Sequence, residues 1–168
     1  MTEFSHSCNG DHYWTIIIGG NGDLITLDRN YLHDVSGRAP KIGSSEGNQV
    51  VQAVNNLFSG NEGHNFDISS SGLVLIEGNA FSDAKEPLTS ASEEGVIFTV
   101  PSGSEGTCEE YLGRACEANS LSNSGDFADR EDTEPLSELS GYGANLVVPI
   151  AASEVAATVE GSAGIGKI

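Results

Sequence analysis

The stretch DLITLDRNYLHD, residues 23–34, is repeated in outline by QVVQAVNNLFSG (49–60) and GLVLIEGNAFSD (72–83). Each copy begins with a short run of β-prone residues. Two residues separate this run from an asparagine, and one further residue separates the asparagine from a large apolar side chain. The copies recur every 23 to 26 residues, a period that is typical of solenoid proteins. The Leu-x-x-Leu-x-Leu pattern of leucine-rich repeats, which have a similar period, is absent.

The runs are too short and too rich in Val, Ile and Leu for helices, and they end in Asn or Gly turns. Asparagine tolerates the left-handed conformation that a tight bend between strands requires. Stacked at equivalent positions, Asn30, Asn56 and Asn79 would form a hydrogen-bonded ladder. One coil cannot bury its inward side chains alone, whereas stacked coils bury a continuous core. The repeat therefore predicts an all-β fold, a right-handed parallel β-helix (solenoid).

The repeat fades after about residue 84, and two later segments differ from it in composition. DFADREDTEPLSELSG (126–141) is acidic and polar, which indicates a surface loop or a mobile segment. ASEVAATVEG (152–161) has apolar residues at helical spacing before a glycine and predicts a short helix on the end of the solenoid. We therefore divide the chain into 1–125, with the coils and a disulfide loop, and 126–168, with an acidic loop and a tail packed on the coils.

Charge and hydropathy exclude several classes of partner. The chain has 168 residues, enough for one domain, and its 7 basic and 25 acidic residues give a net charge of −18. Such a charge argues against binding to nucleic acid or to anionic membrane surfaces. No apolar run approaches the ~20 residues of a membrane-spanning helix. The first residues lack the basic and apolar regions of a signal peptide.

The three cysteines suggest one pair and one unmatched thiol. On one straight helix Cys108 and Cys116 would lie ~12 Å apart, whereas a disulfide needs Cα atoms within about 7 Å. Gly113 between them would allow closure by breaking the helix; two unpaired buried thiols are the alternative. Cys8 is left as a free thiol, an intermolecular link, or half of a bond to a partner outside this chain.

The stretch VSGRAPKIG (35–43) places two of the few cations, Arg38 and Lys41, three residues apart. A solvated turn is the alternative to a functional site. Trp14, the only tryptophan, would either pack in the core or offer a flat ring for stacking on a sugar. His12 would orient a polar network or serve a structural role. His33 and His64 have no companion ligands at the spacing of a metal site, so we expect no metal.

Several stretches closely resemble the fungal pectin lyases, which belong with the pectate lyases and have a right-handed parallel β-helix fold. The resembling stretches are SCNGDHYWTIIIGGNGDLITLDRNYLHDVSGRAPKI (7–42), AVNNLFSGNEGHNFDI (53–68), LIEGNAFSD (75–83) and, more weakly, TCEEYLGRACEAN (107–119). The resemblance implies eliminative cleavage of methyl-esterified polygalacturonan (pectin), giving 4,5-unsaturated ends. It also implies a secreted monomer that needs no cofactor, and a disulfide between Cys108 and Cys116.

The resemblance also implies roles for individual residues. The catalytic arginine of the family falls on Arg38, its supporting lysine on Lys41, and its cleft tryptophan on Trp14; we add His12 to the substrate-binding set. The calcium-dependent pectate lyases carry a second arginine where this chain has Gly43, which disfavours that alternative. An aromatic residue that pectin lyases often carry three positions after the tryptophan is replaced by Ile17, which weakens the expected affinity for substrate.

Pectin lyases are longer than this chain, and the resemblance begins at Cys8. We therefore expect a β-helix that is incomplete at its N-terminal end, with the partner of Cys8 in the part that precedes it. A non-catalytic, truncated β-helix remnant is the alternative to an active pectin lyase.

Overall fold

The computed structural model describes residues 10–164 of the chain. Within them the backbone winds into stacked coils, and each coil contributes one strand to each of three parallel sheets. This arrangement is a parallel β-helix and confirms the predicted fold class. Cys8 lies outside the described residues, so its pairing stays a prediction.

Each of the three sheets has four strands, and all strand pairs within them are parallel. The first sheet contains β1 (Ile17–Ile18), β4 (Lys41–Ile42), β7 (His64–Ile68) and β10 (Glu86–Leu88). The second contains β2 (Asp23–Asp28), β5 (Gln49–Val54), β8 (Gly72–Glu77) and β11 (Val96–Phe98). The third contains β3 (Tyr31–His33), β6 (Leu57–Ser59), β9 (Ala80–Ser82) and β12 (Ser120–Ser122).

The predicted asparagine ladder is present between the second and third sheets. The Nδ2 atom of Asn30 donates to Oδ1 of Asn56, and that of Asn56 donates to Oδ1 of Asn79, both at 2.9 Å. A fourth member, Asn119, accepts from Nδ2 of Asn79 at 2.9 Å. The ladder satisfies buried amides from coil to coil, which stabilises the stack because an unpaired buried amide is costly.

The residue before each ladder asparagine, not the asparagine itself, adopts the left-handed conformation. The sequence-based assignment is corrected in this respect. Arg29, Asn55 and Gly78 have φ angles of 52°, 57° and 58°. The ladder asparagines instead direct their backbone N–H groups along the stack. The N–H of Asn56, for example, donates to Oδ1 of Asn79 at 2.9 Å.

Aromatic rings stacked from coil to coil fill the centre of the β-helix. Phe58 and Phe81 are parallel, with ring centroids 4.7 Å apart, and Phe66 packs 5.4 Å from Phe58. Phe127, from the segment after the last coil, lies 5.3 Å from Phe81 and covers this end of the aromatic stack. The alternation of strand side chains places these rings inside and leaves the opposite positions facing outward.

In the described part of the chain, three α-helices lie outside the coils: α1 (Thr107–Leu112), α2 (Glu134–Ser140) and α3 (Ala152–Glu160). Two short 3₁₀ helices span Ser90–Glu94 and Gly143–Asn145. No helix in residues 10–164 has the length and apolar character needed to cross a membrane.

The prediction of a loop over 126–141 is wrong for α2. Leu136 and Leu139, three residues apart and therefore on one face of the helix, are fully buried against a cluster that includes Leu75 and Phe98. This apolar contact outweighs the acidic composition of the segment.

The predicted C-terminal helix is present as α3 and ends just before Gly161. Its Val155 and Val159 pack with Leu57 and Ala80 of the third sheet. The helix therefore covers the flank of the solenoid, whereas we expected it at an end. The division of the chain at residue 125 stays a prediction.

The predicted disulfide between Cys108 and Cys116 is present, with Cα atoms 5.6 Å apart. Gly113 makes this closure possible because its φ of 70° ends α1, and its N–H donates to the carbonyl oxygen of Glu109 at 3.2 Å. Both sulfurs join the apolar cluster that holds α2.

We expect the double variant Cys108→Ala/Cys116→Ala to lower the free energy of unfolding by about 2–3 kcal/mol, because the cross-link restricts the unfolded chain. Urea unfolding followed by circular dichroism measures the loss. Cys8→Ser is the control, since it removes a thiol but leaves this bond intact. Equal midpoints for the double variant and the parent chain would contradict the prediction.

Candidate active site

The outer face of the first sheet carries the cations that the sequence singled out. Lys41 lies on β4 directly opposite Asp67 of β7 in the parallel register. Their neighbours Ile42 and Ile68 are fully buried, so the alternation of the strands turns Lys41 and Asp67 outward together. Nζ of Lys41 lies 2.8 Å from Oδ1 of Asp67, which is the distance of a charge-assisted hydrogen bond.

Arg38 lies just before β4 in a left-handed conformation, with φ of 48°, and Arg29 adopts the same conformation at its own turn. Its guanidinium carbon is 4.1 Å from the ring centroid of Trp14 and 5.4 Å from that of Tyr13. Its Nε is 3.9 Å from Oδ2 of Asp67 and has no hydrogen-bond partner within residues 10–164. The side chain remains 27% exposed. The surface that Arg38, Lys41, Tyr13 and Trp14 form, which we call the groove, is therefore open to a ligand.

Trp14 and Tyr13 form one wall of this groove. Trp14 is 55% exposed, which decides against the alternative that it packs in the core. Tyr13 meets Trp14 edge to face at 5.7 Å and meets His64 in the same way at 5.7 Å. A Cβ atom at Gly37 would lie 2.7 Å from the Tyr13 ring, so this close approach requires glycine.

The two histidines near the groove differ in their contacts. Nε2 of His12 lies 2.8 Å from the carbonyl oxygen of Trp14, a contact that supports the backbone beneath the exposed indole. His64 lies on β7, and its buried Nε2 is 3.9 Å from Oδ2 of Asp67, without a hydrogen-bond partner in the described part of the chain.

Gly43 occupies the position of the second arginine of calcium-dependent pectate lyases. Its φ is 120°, and a Cβ atom there would lie 2.8 Å from Oγ of Ser69. The local backbone therefore has no room for an arginine at this position without a shift. Across residues 10–164, no three His, Cys, Asp or Glu side chains are grouped as a metal site would need.

Arg29 lies on a turn away from this groove and provides a comparison. Its side chain is exposed and pairs with Asp28 at 2.7 Å. The hydrogen bond and the charge of Asp28 raise the pKa of Arg29 above its usual value. Arg29 is therefore a well-paired surface cation, whereas Arg38 is a partly buried cation with an unpartnered donor.

Sequence reasoning did not find Asp67, and it considered His64 only as a metal ligand. The signal for Asp67 was present in the repeat period. Asn30 and Asn56 are 26 residues apart, and Asp67 follows Lys41 by the same 26 residues. Counting one coil of 26 residues forward from Lys41 would have made Asp67 a candidate partner.

The fold and the groove define a class of protein: a parallel β-helix that carries cations beside an aromatic wall on the outside of one sheet. The family model described as pectate lyase matches residues 5–168. The chain belongs to the pectate lyase family, as its resemblance to known sequences indicated.

Curated relatives support this assignment. The chain is 44% identical over 167 residues to "Probable pectin lyase F-2" of Aspergillus terreus, covering 99% of this chain and 34% of that protein. It is 43% identical over 168 residues to "Probable pectin lyase F" of Emericella nidulans, covering 99% and 35%. "Pectin lyase 2" of Aspergillus oryzae is 43% identical over 127 residues, covering 76% and 33%. The chain thus spans about a third of the length of these relatives.

Proposed function

We propose that this chain carries the catalytic groove of a pectin lyase, which cleaves methyl-esterified polygalacturonan by β-elimination. The observation that carries the proposal is the position of Arg38, held 4.1 Å from the exposed Trp14 and three residues before Lys41 on one open face. The names of the relatives, pectin lyases in each case, agree with it.

In the proposed reaction, neutral Arg38 takes the proton from C5 of a galacturonate residue. The C5–H electron pair forms the C4–C5 double bond, the bond from C4 to the glycosidic oxygen breaks, and the leaving oxygen takes a proton from solvent. Loss of the C5 proton places enolate-like charge on the carboxyl ester, which nearby cations stabilise. The neutral form of an arginine is a minor species because guanidinium holds its proton strongly, so the reaction needs either this minor neutral population or alkaline conditions.

Trp14 and His12 complete the proposed substrate site. The exposed indole provides a flat apolar face on which a sugar ring can stack, and His12 bonds to the carbonyl group of that residue. The net charge of −18 disfavours a polyanionic substrate more than a neutral ester polymer. The Cys108–Cys116 disulfide is typical of secreted proteins. We therefore propose a secreted monomer that acts on pectin, and no cofactor enters the proposed reaction.

We expect product formation to depend on the ester groups of the polymer. The test follows the absorbance of unsaturated product from highly methylated pectin and from the same pectin after demethylation. Demethylation should lower the initial rate by about tenfold or more, because the acidic protein repels a polyanion. A chelator should leave the rate on the methylated polymer unchanged. A requirement for calcium, or a faster rate on the demethylated polymer, would favour a pectate lyase instead.

The second candidate is a non-catalytic β-helix that binds pectin through the Trp14 face. It is considered because the chain spans about a third of the length of its relatives. Binding of methylated pectin with no unsaturated product from the unaltered chain would select this candidate.

A further inference from the structure

Asp67 is a carboxylate that faces both cations of the groove, and among the described residues its side chain bonds to Lys41. Its Oδ1 lies 2.8 Å from Nζ of Lys41, whereas its Oδ2 lies 3.9 Å from Nε of Arg38. Its side chain is only 11% exposed, so water screens it weakly. A carboxylate in such a position binds a neighbouring cation strongly.

Arg38 carries the complementary feature, an unpartnered donor. Its Nε is buried and lacks a hydrogen-bond partner in the described residues, although a buried donor without a partner is unfavourable. A movement of about 1 Å would bring it to the usual hydrogen-bond distance from Asp67. The guanidinium stays instead on the indole of Trp14, at 4.1 Å.

His64 is the other group next to Oδ2 of Asp67, and its Nε2 is 3.9 Å away. This distance exceeds that of a hydrogen bond, so His64 does not bond to the carboxylate. Lys41 is therefore the side chain that satisfies Asp67 in the arrangement observed.

We propose that Lys41 is a positioning residue that holds Asp67 and thereby keeps Arg38 on Trp14, available to the substrate. The catalytic consequence of this inference rests on the proposed function. If Asp67 bonded to Arg38, the carboxylate would stabilise the charged guanidinium and draw it away from the indole. Both effects would oppose the acceptance of a proton from C5.

The geometric part of the proposal can be tested without substrate. The chain has four arginines, Arg29, Arg38, Arg114 and Arg130, so the Nε–H signals in a ¹⁵N NMR spectrum are few, and an Arg38→Lys variant assigns the signal of Arg38. In Lys41→Met, this signal should move to lower field as Nε bonds to Asp67. The fluorescence of Trp14, the only tryptophan, should shift to longer wavelength as the indole loses its cover.

The double variant Lys41→Met/Asp67→Asn should return both signals to their original positions, because the competing charge is gone. The conservative variant Lys41→Arg should leave the Arg38 and Trp14 signals as they are in the parent chain, because it preserves the ion pair with Asp67. Arg29→Met is the matched control, since it removes an exposed cation that pairs with Asp28 outside the groove. It should change neither signal.

Activity on methylated pectin supplies the catalytic readout. Lys41→Met should lower the elimination rate by about 10²-fold, comparable to the loss of one charge-stabilising group. The double variant should react about tenfold faster than Lys41→Met, although it still lacks the lysine. Arg29→Met should have the elimination rate of the parent chain. A lysine that acted directly on the sugar would show no such recovery.

The proposal is overturned if Lys41→Met leaves the Arg38 signal unchanged, or if the double variant is as slow as the single one. If Lys41→Met does not fold, Asp67→Asn alone decides: the Arg38 signal should keep its position, and a displaced signal would show that Asp67, not Lys41, holds the arginine. Absence of product from the parent chain would instead refute the proposed function, while the NMR comparison would still test the geometry.

Discussion

Replacing Arg38 with alanine is expected to lower the rate of elimination on methylated pectin by about 10²–10⁴-fold, the usual contribution of a group that transfers a proton in the transition state. Arg38 is the group that we propose to take the C5 proton. Alanine removes the guanidinium, which is both the proposed base and the group that lies 4.1 Å from Trp14. The measurement is the initial rate of appearance of unsaturated product at saturating substrate.

Two variants make this result specific. Arg29→Ala removes a cation of the same type from an exposed pair on another turn and should leave the rate unchanged. Arg38→Lys keeps a positive charge but loses the planar guanidinium, and it should remain close to Arg38→Ala. Equal losses for Arg29→Ala and Arg38→Ala would show that the wrong cation has been assigned.

The largest loss of stability is expected from Arg114→Met. The guanidinium of Arg114 bonds in a bidentate manner to Glu77, from Nη2 to Oε1 at 2.6 Å and from Nη1 to Oε2 at 2.9 Å. The Glu77 side chain is fully buried, and that of Arg114 is 17% exposed. Removing the arginine leaves a buried carboxylate whose remaining side-chain partner is Gln52, at 2.9 Å. Such a loss lowers the free energy of unfolding by about 3–5 kcal/mol.

Urea unfolding measures this effect, and two further variants separate the pair from the rest of the fold. Arg114→Met/Glu77→Leu should recover most of the lost stability, because replacing both partners by apolar side chains removes the uncompensated charge. Arg29→Met breaks an exposed pair and should change the midpoint little. A midpoint for Arg114→Met close to that of Arg29→Met would show that water reaches Glu77.

The coils could be predicted from the sequence wherever their period is regular. Asn30, Asn56 and Asn79 were identified as a ladder because each lies at the same place in its repeat. Asn119 was missed, although the N-S-L-S stretch that begins with it has the same outline, because the excursion that holds α1 and the disulfide separates it from β11. The helix α2 was missed because its acidic composition obscures two leucines on one face.

The site was predicted in part. Arg38, Lys41 and Trp14 came from a resemblance to known sequences, and the structure brings Arg38 beside Trp14 and close to the pair that Lys41 makes with Asp67. Their catalytic and binding roles stay proposals. Asp67 and the contacts of His64 were not predicted, because neither residue has a local pattern of its own.

The sequence by itself determined the period of the coils, the asparagine ladder and hence the parallel β-helix, since the same short pattern recurs along the chain. Only the tertiary structure decided the contacts across coils that this pattern does not mark. Lys41 and Asp67 come together because the loops between β4 and β7 set a register of one coil. Within the described part of the chain the Nε of Arg38 has no hydrogen-bond partner, and this depends on distances of a few ångström between segments. Such distances follow from the packing of whole coils, which no local pattern encodes.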